Sequence, residues 1–237
     1  MDWLERTDLL VGSQGLEKLQ KAHVLVAGMG GVGSWAAEML VRAGVGEITL
    51  VDGDDVKPSN RNRQLPALSS TQFKAKVEVM ANRLLDINPE LVLHPINCFI
   101  TEQEIIELLQ TPYDYVLDAI DSLTPKVLLI AYTLQKGTPV ISSMGAGGKL
   151  DPALVQVADI SKSYNCKLAR MVRKRLNKFD IKSGFQVVFS PEMVQKEHLL
   201  FVDDEPNKKT TVGTISYMPA LFGIIAASTI VRSILSK

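Results

Sequence analysis

The residues best suited to chemistry begin with Gly28-Met29-Gly30-Gly31-Val32-Gly33. Glycines at this spacing allow a tight turn and a close backbone approach, and a helix starting there offers its free N–H groups and positive dipole end to phosphate. Asp52 lies nineteen residues past Gly33, at the end of the next apolar run, where a carboxylate meets ribose hydroxyls. Asp54 follows two residues on and is grouped with it as a nucleotide contact. The glycine pattern does not name the nucleotide, since NAD and ATP sites both use it.

The next cluster separates the two. Asn60-Arg61-Asn62-Arg63-Gln64 follows closely, and Lys76 stands thirteen residues after Arg63. Arginine supplies a planar fork of donors for phosphate oxygens, and lysine supplies a point charge. A dinucleotide has no triphosphate that needs such a clamp. Asp118-Ala119-Ile120-Asp121 ends another apolar run, at the sheet edge where ligands bind, so Asp118 joins the nucleotide contacts and Asp121 can hold Mg²⁺ on a phosphate. Taken one at a time, Arg63 and Lys76 also read as surface charge, and Asp121 as a helix cap ahead of Pro125. Gly145-Ala146-Gly147-Gly148-Lys149 is not a phosphate loop of the G-x-x-x-x-G-K-[ST] type. Ser143 stands where that pattern needs glycine, and Leu150 follows the lysine, so the segment reads as a glycine-rich turn lining the site.

These residues need a scaffold. His23–Ala27, 47–52, 91–96, 113–118 and 138–142 read as buried strands. Between them 34–43, 71–87, 102–109 and 125–135 carry helical spacing, with Asn88-Pro89 as a stop. Strand and helix in alternation predict a Rossmann-like, doubly wound, mostly parallel α/β sheet. Past Gly148 the alternation loosens. Here 155–160 and 185–190 read as strands, 165–177 as a basic helix, 203–209 as a charged loop and 219–235 as a closing apolar helix. The expected organisation is one domain, with a nucleotide-binding half over about 1–150 and a second part over about 151–237 whose basic helix and apolar run offer polyanion-binding and dimerisation surfaces.

The chain has 237 residues, 46% apolar and 22% charged, enough for an ordinary core. Its formal charge is zero, but 161–182 holds eight basic residues against one acidic, a net of +7 that leaves −7 elsewhere. Two cysteines, Cys98 and Cys166, outside any C-x-x-C pair argue against a disulfide framework or a structural zinc site. The N-terminal residues lack the pattern of an export signal, and the uncharged run 210–231 is broken by Pro219, Gly213, Gly223 and several Thr and Ser. The expectation is a cytoplasmic protein with no membrane partner.

In order and spacing, Gly28–Gly33, Asp52, 60–64, Lys76 and Asp121 resemble the ubiquitin-activating-like adenylating enzymes. Within that family, 30–38, 118–122, Pro125-Lys126 and 145–152 look most like the branch that acts on threonylcarbamoyladenosine in tRNA. The resemblance covers essentially the whole chain and is weakest after Asn177. It implies that the glycine loop (Gly28, Gly30, Gly31, Gly33) faces the triphosphate, Asp52 the ribose, Arg63 and Lys76 the phosphates, and Asp121 the Mg²⁺. Asn60, Gln64, Asp54 and Asp118 complete the nucleotide site. Arg6 matches an arginine that family dimers insert into the partner's site. The implied cofactors are ATP and Mg²⁺. The implied partners are tRNA bearing threonylcarbamoyladenosine, a second copy of the chain, and accessory proteins of cysteine-desulfurase type. The implied reaction closes a ring through an acyl-adenylate. The family's other branch activates the C-terminal glycine of a ubiquitin-like sulfur carrier, commonly with paired C-x-x-C zinc ligands that this chain lacks. An NAD-dependent oxidoreductase and a catalytically silent subunit are the rival classes.

Overall fold

The computed structural model describes residues 3–201 and 210–236. It opens on a helix that the apolar periodicity does not announce, α1 (Glu5–Lys21). Then come β1 (His23–Ala27), α2 (Gly33–Arg42), β2 (Glu47–Val51), α3 (Lys76–Ile87), β3 (Val92–Ile96) and α4 (Glu102–Leu108). They are followed by β4 (Tyr115–Asp118), α5 (Leu123–Gln135), β5 (Val140–Ser143), β6 (Gln156–Asp159) and α6 (Lys167–Leu176). β7 (Gln186–Phe189), β8 (Leu199–Phe201), β9 (Thr210–Val212) and α7 (Tyr217–Leu235) complete it. The charged loop expected over 203–209 lies outside the described residues.

Seven strands form one sheet in the order β3-β2-β1-β4-β5-β7-β6, and β8 pairs with β9 apart from it. Every neighbouring pair in the large sheet is parallel except β6 with β7. The expected α/β fold is thus the observed one, with an antiparallel edge strand at one side. Burial explains the central strands. All five residues of β1 are buried, as are all four of β4 and β5. Each fully buried Val or Leu contributes roughly 1.5–3 kcal/mol. One face of the sheet packs Leu40, Val41, Met80, Phe222 and Ile230 from α2, α3 and α7. The other packs Ile105, Leu129, Ile130 and Val172 from α4, α5 and α6.

Chain order reverses between β1 and β4, the place where a doubly wound sheet leaves a crevice beyond its carboxyl ends. The register puts Ala27 beside both Val51 and Asp118, so Gly28, Asp52 and Ala119 emerge side by side there.

Three expectations need correcting. The helix foreseen over 71–87 begins only at Lys76, because 69–71 form a 3₁₀ turn and Phe73 adopts φ 65, a left-handed geometry that an α-helix cannot continue through. The basic helix starts at Lys167 rather than Asn165, whose φ is 52. The apolar C-terminal run forms α7 from Tyr217. It is long and apolar enough to cross a membrane by length and composition, yet half of that stretch is buried within the protein. It lies against α2 so closely that a Cβ on Gly223 would sit 2.3 Å from the Val32 carbonyl oxygen.

Candidate nucleotide-binding site

The glycine loop is shaped by what surrounds it. Gly28 takes φ +96, and a Cβ there would come within 2.8 Å of the Ala119 carbonyl oxygen. A Cβ on Gly33 would lie 1.8 Å from the Gly28 carbonyl oxygen, so helix α2 can begin only with glycine at that point. Gly31 backs onto Pro219 of α7, 2.9 Å from its own would-be Cβ. Around Gly30, by contrast, the nearest atom is Gln64 Nε2 at 3.8 Å, which leaves the room a phosphate needs. Ser34 closes the turn, its hydroxyl donating to the Gly30 carbonyl at 2.6 Å.

Asp52 ties this loop to the second strand. Its carboxylate accepts the Met29 N–H at 2.6 Å and the Asp54 N–H at 2.8 Å. Lys76, buried at the start of α3, donates to Asp54 at 2.7 Å and stands 3.9 Å from Asp52. Burial pushes the Asp52 carboxyl above the usual carboxylate range, against the pull of Lys76 and of the two N–H donors. A lysine ammonium and two carboxylates thus meet at the mouth of the glycine loop. The family resemblance gives Lys76 a phosphate role, and the structure shows the acidic pair that holds it meanwhile.

Arg63 sits half-buried opposite, donating to the Ser59 carbonyl at 3.0 Å and to Asn62 Oδ1 at 2.7 Å. Burial pulls its guanidinium pKa down, and the neighbouring Asp121 carboxylate pushes it back up. Asn60 is buried and shapes the turn, accepting the Lys57 N–H at 3.0 Å. Gln64 Oε1 is buried with no donor, an acceptor left open beside Gly30. Asp121 is exposed and, among the described residues, its carboxylate accepts one long hydrogen bond, from the Ser122 hydroxyl at 3.4 Å, with the Arg63 charge nearby. Its oxygens are therefore free for a hard cation, and a phosphate-bound Mg²⁺ suits a single carboxylate of this kind. The glycine-rich turn 145–148 is covered by 212–214, where Gly148 N–H donates to the Gly213 carbonyl at 2.7 Å. Asn62 reaches the same segment, donating to the Thr214 carbonyl at 2.9 Å.

One residue grouped with the nucleotide contacts is turned away from the surface. Asp118 has no exposed surface. Its carboxylate is taken up by Lys126 Nζ at 2.6 Å, the Ser142 hydroxyl at 2.5 Å and the Ile120 N–H at 3.1 Å. It braces the loop that carries Asp121 and touches no ligand space. Arg6, expected in a partner's site rather than its own, is exposed on the first turn of α1, near Leu4, whose methyl carbons lie 3.4 and 3.5 Å from where a Cβ of Gly44 would stand.

Several contributors were missed. The spacing of the sequence assigns Lys126 no task, yet all three of its N–H groups are used, on Asp118, Ser142 and the Ser143 carbonyl. Glu38 pairs with Arg42 at 2.8 Å and Arg83 at 2.5 Å, locking α2 to α3. In α6 the basic residues divide. Arg173 turns inward, bonding the carbonyls of Ile160 and Ser163 and the Ser163 hydroxyl, and Arg175 donates to Thr124 at 2.6 Å. Lys167, Arg170, Lys174 and Arg175 on the helix, and Lys178 just past it, are exposed.

The ThiF family model matches residues 5–237. A tRNA threonylcarbamoyladenosine dehydratase of Bacillus subtilis (strain 168) is 41% identical over 237 residues, 97% of this chain and 93% of the relative. One of Escherichia coli (strain K12) is 37% identical, covering 99% and 95%. The crystal structure of E. coli tRNA N6-threonylcarbamoyladenosine dehydratase in complex with ATP superposes with a TM-score of 0.89 at 37% identity, over 98% of this chain and 93% of that one.

Proposed function

This chain belongs to the ThiF family, and from that membership we propose that it dehydrates threonylcarbamoyladenosine in tRNA, using ATP. The observation that carries the reading is the convergence of Arg63, Lys76, Asp52 and Asp121 on one glycine loop, in a chain similar over nearly its whole length to such dehydratases.

The threonylcarbamoyl carboxylate attacks the α-phosphate, an acyl-adenylate forms and pyrophosphate leaves. A nucleophile within the same modification then attacks the acyl carbon, closing a ring and releasing AMP. The protein's part is alignment and charge. The open N–H groups at Gly30 and the N-terminus of α2 receive phosphate oxygens. Arg63 and Lys76 stabilise the negative charge that builds on them, Lys76 exchanging an Asp54 oxygen for a phosphate oxygen. Asp52 holds the ribose, and Gln64 Oε1 takes a donor from the nucleotide. Asp121 would hold Mg²⁺, which supplies charge neutralisation at the phosphates.

The active form is a homodimer. Arg6 is exposed on the first turn of α1, and on the same helix Leu9 and Leu10 are 81% and 85% exposed, an apolar patch that a second copy would cover. The exposed cations of α6 meet the tRNA backbone, and work on tRNA belongs in the cytoplasm. Any accessory protein of cysteine-desulfurase type would join this assembly.

The deciding assay measures AMP formed from ATP with modified tRNA, unmodified tRNA, or a ubiquitin-like carrier. AMP should appear with the modified tRNA alone. AMP formed only with the carrier would replace this reading by sulfur-carrier activation.

A further inference from the structure

A second cluster of chemistry-bearing side chains lies away from the nucleotide site, on the face of β1, β2 and β3 that looks toward α4. His23 and Glu47 are direct partners in the β1–β2 register, and His94 is paired with Thr49 across β2–β3. Alternation along a strand puts His23, Glu47, Thr49 and His94 on one face. Glu47 Oε1 lies 2.9 Å from His94 Nε2 and 3.5 Å from His23 Nδ1, and one ligand atom from each of the three falls within 4.8 Å of the others. Beside them runs a cavity of about 610 Å³, lined also by Cys98, Glu104, Glu107 and Tyr113.

The hydrogen bonds around His23 are those of a prepared ligand. Its Nε2 is 2.9 Å from Thr49 Oγ1, and the Thr49 hydroxyl also bonds the Tyr113 side chain. With the Thr49 hydrogen directed to Tyr113, its oxygen accepts from His23 Nε2–H, and Nδ1 keeps its lone pair. That lone pair faces the Glu47 carboxylate. Without an ion, His94 Nε2–H donates to the Glu47 carboxylate at 2.9 Å; in its other tautomer His94 turns that nitrogen's lone pair to the same point, so two imidazole nitrogens and a carboxylate oxygen can close on one cation. A hydrogen-bonded partner fixing the far nitrogen of a histidine is the usual outer shell of a metal site.

We propose that His23, Glu47 and His94 bind one divalent transition-metal ion of the zinc class, which staples the edge strand β3 to β2 and β1. Two imidazoles and one carboxylate suit Zn²⁺ or Co²⁺, whereas Mg²⁺ and Ca²⁺ prefer oxygen alone. The scarcity of cysteine does not bear on this set, which contains none.

The test uses the full chain, stripped of metal and free of ATP, titrated with Zn²⁺ by calorimetry and with Co²⁺ by absorption. Wild type should bind one ion per chain, show the visible bands of low-coordinate Co²⁺, and gain thermal stability with Zn²⁺. His94→Ala and Glu47→Gln are partly exposed changes that should preserve the fold by circular dichroism and abolish all three signals. Thr49→Val should weaken binding by about 10- to 100-fold, as for a lost outer-shell partner, and His198→Ala should change nothing. Absence of stoichiometric binding, or binding unaltered in a folded His94→Ala variant, would overturn the proposal.

Discussion

Lys126 Nζ lies 2.6 Å from Asp118 Oδ2, and neither side chain has any exposed surface. Breaking such a pair leaves one charge buried without its partner, which costs about 3–5 kcal/mol, far more than the pair contributes relative to two apolar residues. Lys126→Ala and Asp118→Ala should each lose stability of that order in urea unfolding. The double variant Lys126→Met, Asp118→Leu should recover much of it. Equal stability of the single variants and wild type would mean that the pair is not the brace described.

Arg63→Ala and Lys76→Ala should each slow adenylate formation by on the order of 10²- to 10³-fold, the usual effect of losing one donor to developing charge. They should differ in stability. Arg63 is half-buried and bonds only local groups, so its loss should leave the melting temperature nearly unchanged. Lys76 is buried against Asp54 and Asp52, and its loss leaves Asp52 without its countercharge. A lower melting temperature for Lys76→Ala alone is the result to look for by scanning calorimetry.

The raised pKa of Asp52 gives ATP binding a definite pH dependence. Ribose hydroxyls are held best by the ionised carboxylate, so bound ATP favours loss of the proton. Affinity should rise with pH through the Asp52 titration and weaken below it, starting at a higher pH than for an ordinary aspartate. In Asp52→Asn affinity should be lower and this limb absent. Isothermal titration of ATP between pH 4 and 8 reads both; an unchanged limb in the variant would assign the dependence to another group.

Only the outward cations of α6 can meet a polyanion. Arg170, Lys174 and Lys178 changed together to Glu should weaken tRNA binding and flatten the log–log salt slope by roughly 2 to 3, with ATP affinity little altered. Arg173→Glu should act differently. It removes the clamp on the Ile160 and Ser163 carbonyls, so its first effect should be on unfolding. Filter binding at several salt concentrations separates the two.

Action of Arg6 across a dimer predicts complementation. Arg6→Ala mixed with Lys76→Ala should recover part of the activity that each lacks alone, because a mixed dimer holds one site with both residues. A chain that is monomeric by light scattering and fully active would rule this out.

The strands and the glycine loop were legible because their reasons are local: unbroken apolar runs and glycines where nothing larger fits. The nucleotide residues were legible as types and order, and the structure brings Asp52, Lys76, Arg63, Gln64 and Asp121 to one edge. What escaped depends on distant parts of the chain. Lys126 follows a proline at a helix start, where a lysine reads as solvated, and only β4 and β5 supply the Asp118, Ser142 and Ser143 groups that hold it inside. Asp118 ends a strand as ligand residues do, yet its carboxylate turns under the loop. Helix α1 carries Gly12 and Gly15 and little apolar periodicity, and Leu19 is buried only because the rest of the sheet is present. Four residues, 156–159, give no sign that β6 runs against its neighbour.

The contact between Gly31 and Pro219 also bears on how the molecule comes into being. The glycine loop belongs to the first βα unit, whereas the wall behind it belongs to α7, made long after it. Contacts so far apart in the chain must close a long loop before they yield anything in return, which makes them late and slow to form. A nascent chain lacking α7 would hold the glycine loop without its backing and uncover the face of α2 that carries Trp35 and Ala36. The glycine loop is therefore completed only when α7 docks.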